Sequence, residues 1–498
     1  MRIWYQFPIP NSQFPIPNSQ FSILLYPTHH AQPKLEFIPP AFNPFVLKIA
    51  QWSLPFLLRF RIRRWLPAGI TRIEATNVEL LVDLYRQFQQ GKIRFLIALR
   101  HSEVEDPLCM LHLLSYMVPK VARQQGISLQ YPIHSHFFYE RGMLLWAGDW
   151  LGWLFSGGGG IPIHRGRRMD SAAIRTGRKL FIDSKLPMAI APEGATNNHS
   201  EIVSPLQPGV AQMGFWCVED LLKANRAEQV LIVPIGIRYR YIQPHWVKLD
   251  WLLSRLEADT GLPVQRIGKS ASSDCKDVFY QRLFQLGEYL LSEMEQFYRR
   301  FYHKNFPEPT SISTEEAVDA NQVLATRLQN LLNVALQVGE EYFGLPTKGT
   351  VIERCRKLEE AGWQYIYRED IPDLESLSPF QRGLADWIAQ EASLRMRHMR
   401  LVESFVAVTG TYVKEKPTFE RFAETALILF DTIARIKGKK IPHRPSLGKR
   451  SVQMTVGEPI SVTQRWSAYQ KNRQAAKQSI FQLTQDLQIA LEEMIGNG

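Results

Sequence analysis

A histidine and an aspartate follow an apolar run in an arrangement that suits general base catalysis. Phe95 to Leu99 has the pattern of a buried strand and leads directly into the sequence RHSEVEDP at residues 100–107. If Asp106 begins the next helix, its carboxylate can turn back to the imidazole of His101 and fix its tautomer. Such a pair can deprotonate a hydroxyl group. Taken alone, a His and an Asp at this spacing are more often a core histidine and a helix cap.

A glycine-rich stretch further along the chain ends in basic residues. Four glycines at 157–160 lead into the sequence IPIHRG at residues 161–166. A guanidinium group can contact phosphate through two hydrogen bonds, so Arg165 is a candidate phosphate ligand, and Arg167 and Arg168 add positive charge. The alternative is a flexible loop with solvated basic residues. The glycines do not follow a GxGxxG or P-loop pattern, so nucleotide binding is not indicated.

A third candidate site follows another apolar run, Met188 to Ala191, with the sequence APEGAT at residues 191–196. The carboxylate of Glu193 can accept hydrogen bonds from substrate hydroxyls, and Gly194 permits close approach of the backbone. By itself, a Pro-Glu-Gly sequence more often marks a turn.

The elements around these residues predict an α/β domain followed by a helical region. Between Arg94 and Ile242 short apolar runs, including Val230 to Ile237, alternate with helical patterns. After about Asp274 long amphipathic stretches predict helices over Val278–Tyr302, Thr314–Phe343, Gln381–Val413 and Phe419–Lys437. The alternating segment Ser451 to Val462 predicts a strand. We expect it to rejoin the catalytic sheet beside Val230 to Ile237, which makes the helical region an insertion.

Together with Val233-Pro234-Ile235, the three candidate sites resemble, in this order, four sequence blocks of the glycerolipid acyltransferase family, which includes 1-acylglycerol-3-phosphate acyltransferases. The resemblance covers roughly residues 90 to 245, and Gly457 to Ile460 is similar to a late strand of the same domain.

The resemblance implies an O-acyltransferase of phospholipid biosynthesis. The acyl donor would be an acyl-CoA or acyl-carrier-protein thioester, and the acceptor a glycerol phosphate or a lysophospholipid such as lysophosphatidate. The residue roles that it implies are a general base at His101, its orienting partner at Asp106, and acceptor binding by Arg165, Gly166, Glu193 and Gly194. It implies neither a metal ion nor a cofactor.

The chain departs from the family pattern at three positions. Arg100 stands where the family commonly has Asn, Glu103 where it has Ser, and Thr196 where Arg often follows the third block. Without an arginine at this position, the expected binding of the acceptor phosphate is weaker. The sequence HSEVEDP is also similar to soluble glycerol-3-phosphate acyltransferases, which keeps glycerol 3-phosphate as a candidate acceptor.

The predicted fold class is therefore α/β, with an acyltransferase sheet flanked by helices. Residues 1–40 contain the tandem repeat FPIPNSQ and are expected to be disordered. We assign 41–270 to the acyltransferase domain, 271–445 to the mostly helical insertion, and 446–498 to a returning strand and helix. Whether the insertion covers an acyl channel, docks a carrier protein or drives oligomerisation is left open.

Two aromatic segments favour contact with a membrane. Phe42 to Trp65 is apolar and ends in arginines at 59, 61, 63 and 64, which is typical of a helix on an anionic lipid surface; a helix packed on the domain is equally compatible. Trp146, Trp150 and Trp153 suit a membrane interface, an acyl channel or the core. Since no stretch of charge-free apolar residues is long enough to span a bilayer, we expect no transmembrane helix. We expect a cytoplasmic protein that is peripheral on the membrane.

The composition fits a folded protein with an anionic partner. Hydrophobic residues make up 45% and charged residues 21%, which argues against a wholly disordered chain. The net charge is +11, and four separate cysteines form no CxxC pair. Two other functions therefore stay open: a catalytically silent acyltransferase fold that binds anionic lipid, and a basic nucleic-acid binder. The basic cluster at 395–400 has no recognisable nucleic-acid motif beside it, so no nucleic-acid partner is expected.

Overall fold

A mixed sheet forms the centre of the α/β part of the protein. A computed structural model of the protein describes residues 30–60, 69–143, 150–164, 170–307, 319–405, 408, 410–439 and 442–496. Its strands are β1 (Gln32–Pro33), β2 (Ile70–Thr76), β3 (Ile93–Leu99), β4 (His136–Glu140), β5 (Gly160–Ile163), β6 (Met188–Ile190), β7 (Gln229–Tyr241), β8 (Tyr367–Arg368), β9 (Arg450–Val456) and β10 (Ile460–Ser461). The main sheet has the order β2-β9-β7-β3-β6-β4-β5, and β10 also pairs with β7.

Helices flank this sheet and make up most of the later part of the chain. They are α1 (Pro44–Arg59), α2 (Val78–Gln89), α3 (Asp106–His112), α4 (Val118–Gln124), α5 (Trp150–Gly157), α6 (Ser171–Asp183), α7 (Gly209–Lys223), α8 (Trp246–Thr260), α9 (Lys276–Tyr302), α10 (Ala320–Phe343), α11 (Val351–Ile366), α12 (Pro379–Glu403), α13 (Tyr412–Glu415), α14 (Phe419–Ile436), α15 (Trp466–Tyr469) and α16 (Arg473–Gly496). The predicted α/β class with a large helical part is confirmed.

The helical region follows the prediction with two differences. The helix expected over Gln381–Val413 ends at Glu403, and α13 is a separate short helix. Helix α11 lies within the predicted helical region but is not among the helices whose bounds were predicted, although a capping box at Thr350 and Glu353 marks its start.

The late strand returns to the catalytic sheet, as expected. β9 pairs antiparallel with β7, from Ile235 opposite Val456 to Tyr241 opposite Arg450, and parallel with β2 on its other side. The helical region is therefore inserted between strands that lie side by side in one sheet.

Buried side chains cover both faces of the central strand β3. Phe95 and Ile97 belong to a core with α2, while Leu96 and Ala98 belong to another with α7 and α16. Strands of a parallel sheet covered by helices on both faces have this nearly continuous apolar character. The end of β3 is thus held firmly before the chain enters the candidate site.

Parallel pairing brings the candidate residues to one edge of the sheet. β3 is parallel to both β7 and β6, and β4 is parallel to both β6 and β5. The carboxyl ends of parallel strands lie at the same edge, where α/β proteins place their ligands. His101 follows β3, His164 follows β5 and Glu193 follows β6 at this edge.

The aromatic segments lie at the surface, and some predictions about them fall outside the described residues. Helix α1 buries Leu47, Leu54 and Leu58 but leaves Trp52 88% exposed. Trp150 and Trp153 of α5 are also exposed, so core packing is wrong for these two. The repeat at 7–20, the basic end at 61–65 and Trp146 lie outside the described residues. Within the part of the chain that the structure describes, no helix is long and apolar enough to cross a bilayer.

Candidate active site

His101 and Asp106 form a hydrogen-bonded pair at the carboxyl end of β3. His101 Nδ1 lies 3.1 Å from Asp106 Oδ2. The Asp106 side chain is fully buried, while that of His101 is 24% exposed. Asp106 is the first residue of α3, the position that the sequence predicted for it. The imidazole therefore has one nitrogen held by the protein, while part of the ring reaches solvent.

Further donors fix the Asp106 carboxylate. The Glu103 backbone N–H donates to Oδ2 at 2.9 Å, and the Tyr239 hydroxyl donates to Oδ1 at 2.5 Å. Burial raises the pKa of Tyr239 well above its usual value, and the charge of Asp106 adds to this effect, so the phenol stays protonated and acts as a donor. Sequence reasoning missed Tyr239, although it follows the strand Val230–Ile237 that the same reasoning identified.

Glu193 supports the backbone of His101. Its Oε1 accepts from the His101 N–H at 2.8 Å, and its Oε2 accepts from Ser204 N at 2.9 Å and Asn197 Nδ2 at 3.0 Å. Burial raises the pKa of Glu193, against the charge of Arg100 and these backbone donors. Both carboxylate oxygens thus have protein donors, and contact between Glu193 and a substrate hydroxyl stays a prediction.

Arg100, one of the departures from the family pattern, is a structural residue in this protein. It is fully buried. Its guanidinium donates to the carbonyls of Ser200, Ile237, His199 and Ile202 at 2.6 to 3.0 Å. The side chain therefore ties the segment after Glu193 to β7 and does not present a charge to a ligand.

Glu103, another departure, lies in a buried cluster of charges beside the pair. Arg450 of β9 contacts both Glu105 and Glu103, and Arg444 lies 3.9 Å from Glu103. Burial raises the pKa of Glu105 to about 7; the charges of Glu103 and Asp106 add to this, and that of Arg450 opposes it. Arg450 of the returning segment and Arg444, which precedes this segment, thus compensate acidic residues around Asp106.

The predicted phosphate-binding segment is held at both ends. Arg165 and Gly166 lie outside the described residues, as do Arg167 and Arg168, so their placement stays a prediction. Asp170 closes this segment: its Oδ2 accepts from His164 N at 3.0 Å and from Arg141 Nη2 at 2.7 Å. The segment therefore starts and ends at the same edge of the sheet as His101.

This geometry can support removal of a proton from a hydroxyl group. An ionised carboxylate only accepts hydrogen bonds, so Asp106 favours the tautomer with the proton on Nδ1 of His101. Nε2 then carries a lone pair, and no described residue hydrogen-bonds to it. Proton uptake at Nε2 would create a cation that the buried carboxylate stabilises. In the described ranges, no group of three or more His, Cys, Asp or Glu side chains has an arrangement that could hold a metal ion.

Comparison with known proteins agrees with the sequence resemblance. The acyltransferase family model matches residues 82–238, which contain β3, β6, most of β7 and both members of the His101–Asp106 pair. No curated protein matches the chain.

Proposed function

We propose that the protein transfers a fatty acyl group from an acyl-CoA or acyl-carrier-protein thioester to a hydroxyl group of a glycerol phosphate-type acceptor, such as lysophosphatidate. The match of residues 82–238 to the acyltransferase family model supports this proposal. The observation that carries this proposal is the contact of 3.1 Å between His101 Nδ1 and the buried Asp106 carboxylate.

In the proposed reaction His101 is the general base. Its Nε2 takes the proton as the acceptor oxygen attacks the thioester carbonyl carbon, and a C–O bond forms. Collapse of the tetrahedral intermediate breaks the C–S bond, and the thiolate leaves and takes up the proton from the imidazolium. Asp106 stabilises the cation between these steps, and Tyr239 keeps Asp106 in place.

The acceptor is bound by the residues that follow β5 and β6. Arg165 and Gly166 would bind its phosphate, and Gly194, which has a φ of 74°, lets the backbone turn sharply beside Glu193. We assign Glu193 to acceptor binding, as the resemblance implies. Because Glu193 accepts a hydrogen bond from the His101 N–H, it also connects the acceptor site to the general base.

The reaction takes place on a membrane surface in this proposal. Phe45, Ile49, Trp52, Phe56 and Phe60 are exposed along one side of α1 and its end. Trp153 of α5 is 62% exposed, and α5 is joined to the start of α1 by the 2.8 Å hydrogen bond from Asn43 N to Gly157 O. Exposed aromatic residues of this kind insert at the interface of a bilayer.

Incubation of the purified protein with labelled acyl-CoA or acyl-carrier protein and a panel of acceptors tests this function. The panel contains glycerol 3-phosphate, lysophosphatidate, a neutral monoacylglycerol and a long-chain alcohol. We expect labelled product and free thiol with the phosphorylated acceptors. Absence of product with every acceptor and both donors would contradict the proposal.

A second candidate is a catalytically silent protein that binds anionic lipid through α1 and α5, since the exposed aromatic residues serve that function as well. Release of CoA thiol that depends on an acceptor separates the two candidates. A silent protein would bind vesicles and release none.

A nucleic-acid function has less support. His398 is buried and lies 2.7 Å from the Tyr298 hydroxyl, and Arg400 pairs with Glu359 and Glu403. Part of this basic cluster is thus used in packing of the helical region. Retention on nucleic acid at low salt that disappears as the salt concentration rises would revive this candidate.

A further inference from the structure

Helix α11 of the helical region contacts two separate turns of the candidate active site. Arg356 reaches the turn after β6, and Glu360, one helical turn further along, reaches the residue after β5. Residues four apart lie on the same side of a helix, so one face of α11 meets both turns.

The first contact is made to the residue that follows Glu193. Arg356 Nη2 donates to the Gly194 carbonyl at 3.2 Å. Glu193 in turn accepts from the His101 N–H at 2.8 Å. Two hydrogen bonds, joined through the covalent backbone of the turn, therefore connect α11 to the backbone of the proposed base.

The second contact is made to the residue that precedes Arg165. Glu360 Oε2 lies 2.9 Å from His164 Nδ1, and the two side chains are 16% and 12% exposed. Burial lowers the pKa of His164, but the close contact with Glu360 and the charge of this carboxylate outweigh this effect and leave its pKa raised. The His164 ring also packs in a T-shaped arrangement with Trp363 of α11, with centroids 4.8 Å apart. His164 is thus held on α11 by an ion pair and a ring contact.

Ion pairs with α12 hold in place the face of α11 that makes these contacts. Arg356 Nη1 donates to Glu359 at 3.1 Å and to Glu403 of α12 at 3.0 Å. Arg400 of α12 pairs with the same two carboxylates, at 3.1 Å each. The four side chains alternate in charge, so the guanidinium of Arg356 is held in one place and its net charge is compensated. Because its charge is already compensated, Arg356 is better suited to hold the turn at Gly194 in position than to bind a phosphate group.

From these contacts we propose that Arg356 and Glu360 are positioning residues for the acceptor: α11 fixes the distance and orientation between the turn at 192–196 and His164, which directly precedes Arg165 in the sequence. This inference rests on the proposed function, because the acceptor is taken to bind between these turns. It gives the helical region a specific task, which is to complete the acceptor site of the catalytic domain.

Steady-state kinetics with the full-length variants Arg356→Gln and Glu360→Gln test this inference. The control is Arg327→Gln, which breaks the ion pair of 2.9 Å with Glu295 between α9 and α10, away from both turns. We expect each of the two variants to lose about tenfold or more in kcat/KM for the acceptor, mainly through KM, while KM for the acyl donor changes little. Arg356→Lys should recover part of the loss, and the control should behave like the natural protein.

Amide hydrogen exchange provides a readout that does not depend on turnover. Exchange at 193–196 should become faster in Arg356→Gln, and exchange near 164 in Glu360→Gln, with both regions unchanged in Arg327→Gln. Equal kinetics and equal exchange in all three variants of an active protein would overturn the positioning role and leave the proposed function intact. If the natural protein transfers no acyl group, the proposed function fails, and with it the link to the acceptor.

Discussion

The environment of His101 is assembled from side chains that are far apart in the sequence. Asp106 is local, but Tyr239 and Glu193 come from the ends of two other strands, and Arg450 comes from the last part of the chain. The local pair could be predicted because a strand end followed by a helix start determines it. Tyr239 and Arg450 could not, because their roles depend on strand pairing across the insertion.

Removal of the Tyr239 hydroxyl should impair catalysis more than folding. In Tyr239→Phe, Asp106 loses its 2.5 Å donor, and a hydrogen bond to a charged group contributes about 1.5–3 kcal/mol. We expect kcat to fall by about tenfold to a hundredfold. Tyr85→Phe is the matched control, because the buried Tyr85 hydroxyl donates to the His134 carbonyl at 2.9 Å, away from His101. An equal loss of kcat in the two variants would exclude a specific role for Tyr239.

Glu424 should make folding less favourable as the pH rises. Burial raises the pKa of this carboxyl from 4.5 to about 7, so between these values the folded state binds a proton that the unfolded state has lost. The free energy of unfolding should therefore fall over this range, by at most about 1.4 kcal/mol per pH unit from this residue. Denaturant unfolding from pH 4.5 to 7 should show a shallower decrease for Glu424→Gln than for the natural protein. Parallel curves would contradict this assignment; the exposed Glu375→Gln serves as control.

At the scale of elements, the pattern of apolar residues predicted where strands and helices lie. It did not predict the contacts between these elements as well. The strands of the catalytic sheet and the long helices follow from periodicity, since burial of one face or both determines it. Helix α11 was missed because Arg354, Arg356, Glu359 and Glu360 interrupt its apolar pattern, and all four are used in ion pairs. The capping box at its start was the signal available in the sequence.

The exposed side of α1 should determine binding to membranes. Trp52→Glu with Phe56→Glu places two charges on the side that we propose to enter the lipid, and we expect the protein to lose most of its binding to vesicles with anionic headgroups. Trp387→Glu changes an exposed tryptophan of α12 and is the matched control. Co-sedimentation with vesicles measures the effect. Equal binding by the double variant and the control would show that α1 is not the contact surface.

At the scale of the whole molecule, the end of the chain returns after the helical insertion and completes the sheet that the first part of the chain began. β9 hydrogen-bonds to β2 on one side and β7 on the other, and α16 packs with the core above β7. The family match, residues 82–238, contains neither β2 nor β9. The matched segment therefore lacks these two strands of its own sheet, and it lacks β10 as well.

Removal of the returning segment should prevent folding of the catalytic domain. A chain that ends at residue 445 leaves the edge of β7 unpaired and buries Glu105 without Arg450. We expect this chain to be insoluble or to unfold without a cooperative transition, and co-expression of residues 446–498 to restore soluble protein. A soluble truncated chain with an unchanged melting temperature would show that the segment is an independent addition.

The most direct measurement of the central claim is the acceptor-dependent release of CoA thiol by the His101→Ala variant. Loss of a general base should lower kcat by about a hundredfold to ten-thousandfold. Vesicle binding and melting temperature should stay close to those of the natural protein, as they should in the exposed control variant His30→Ala. Turnover by His101→Ala at the rate of the natural protein would contradict the assignment of His101 as the base.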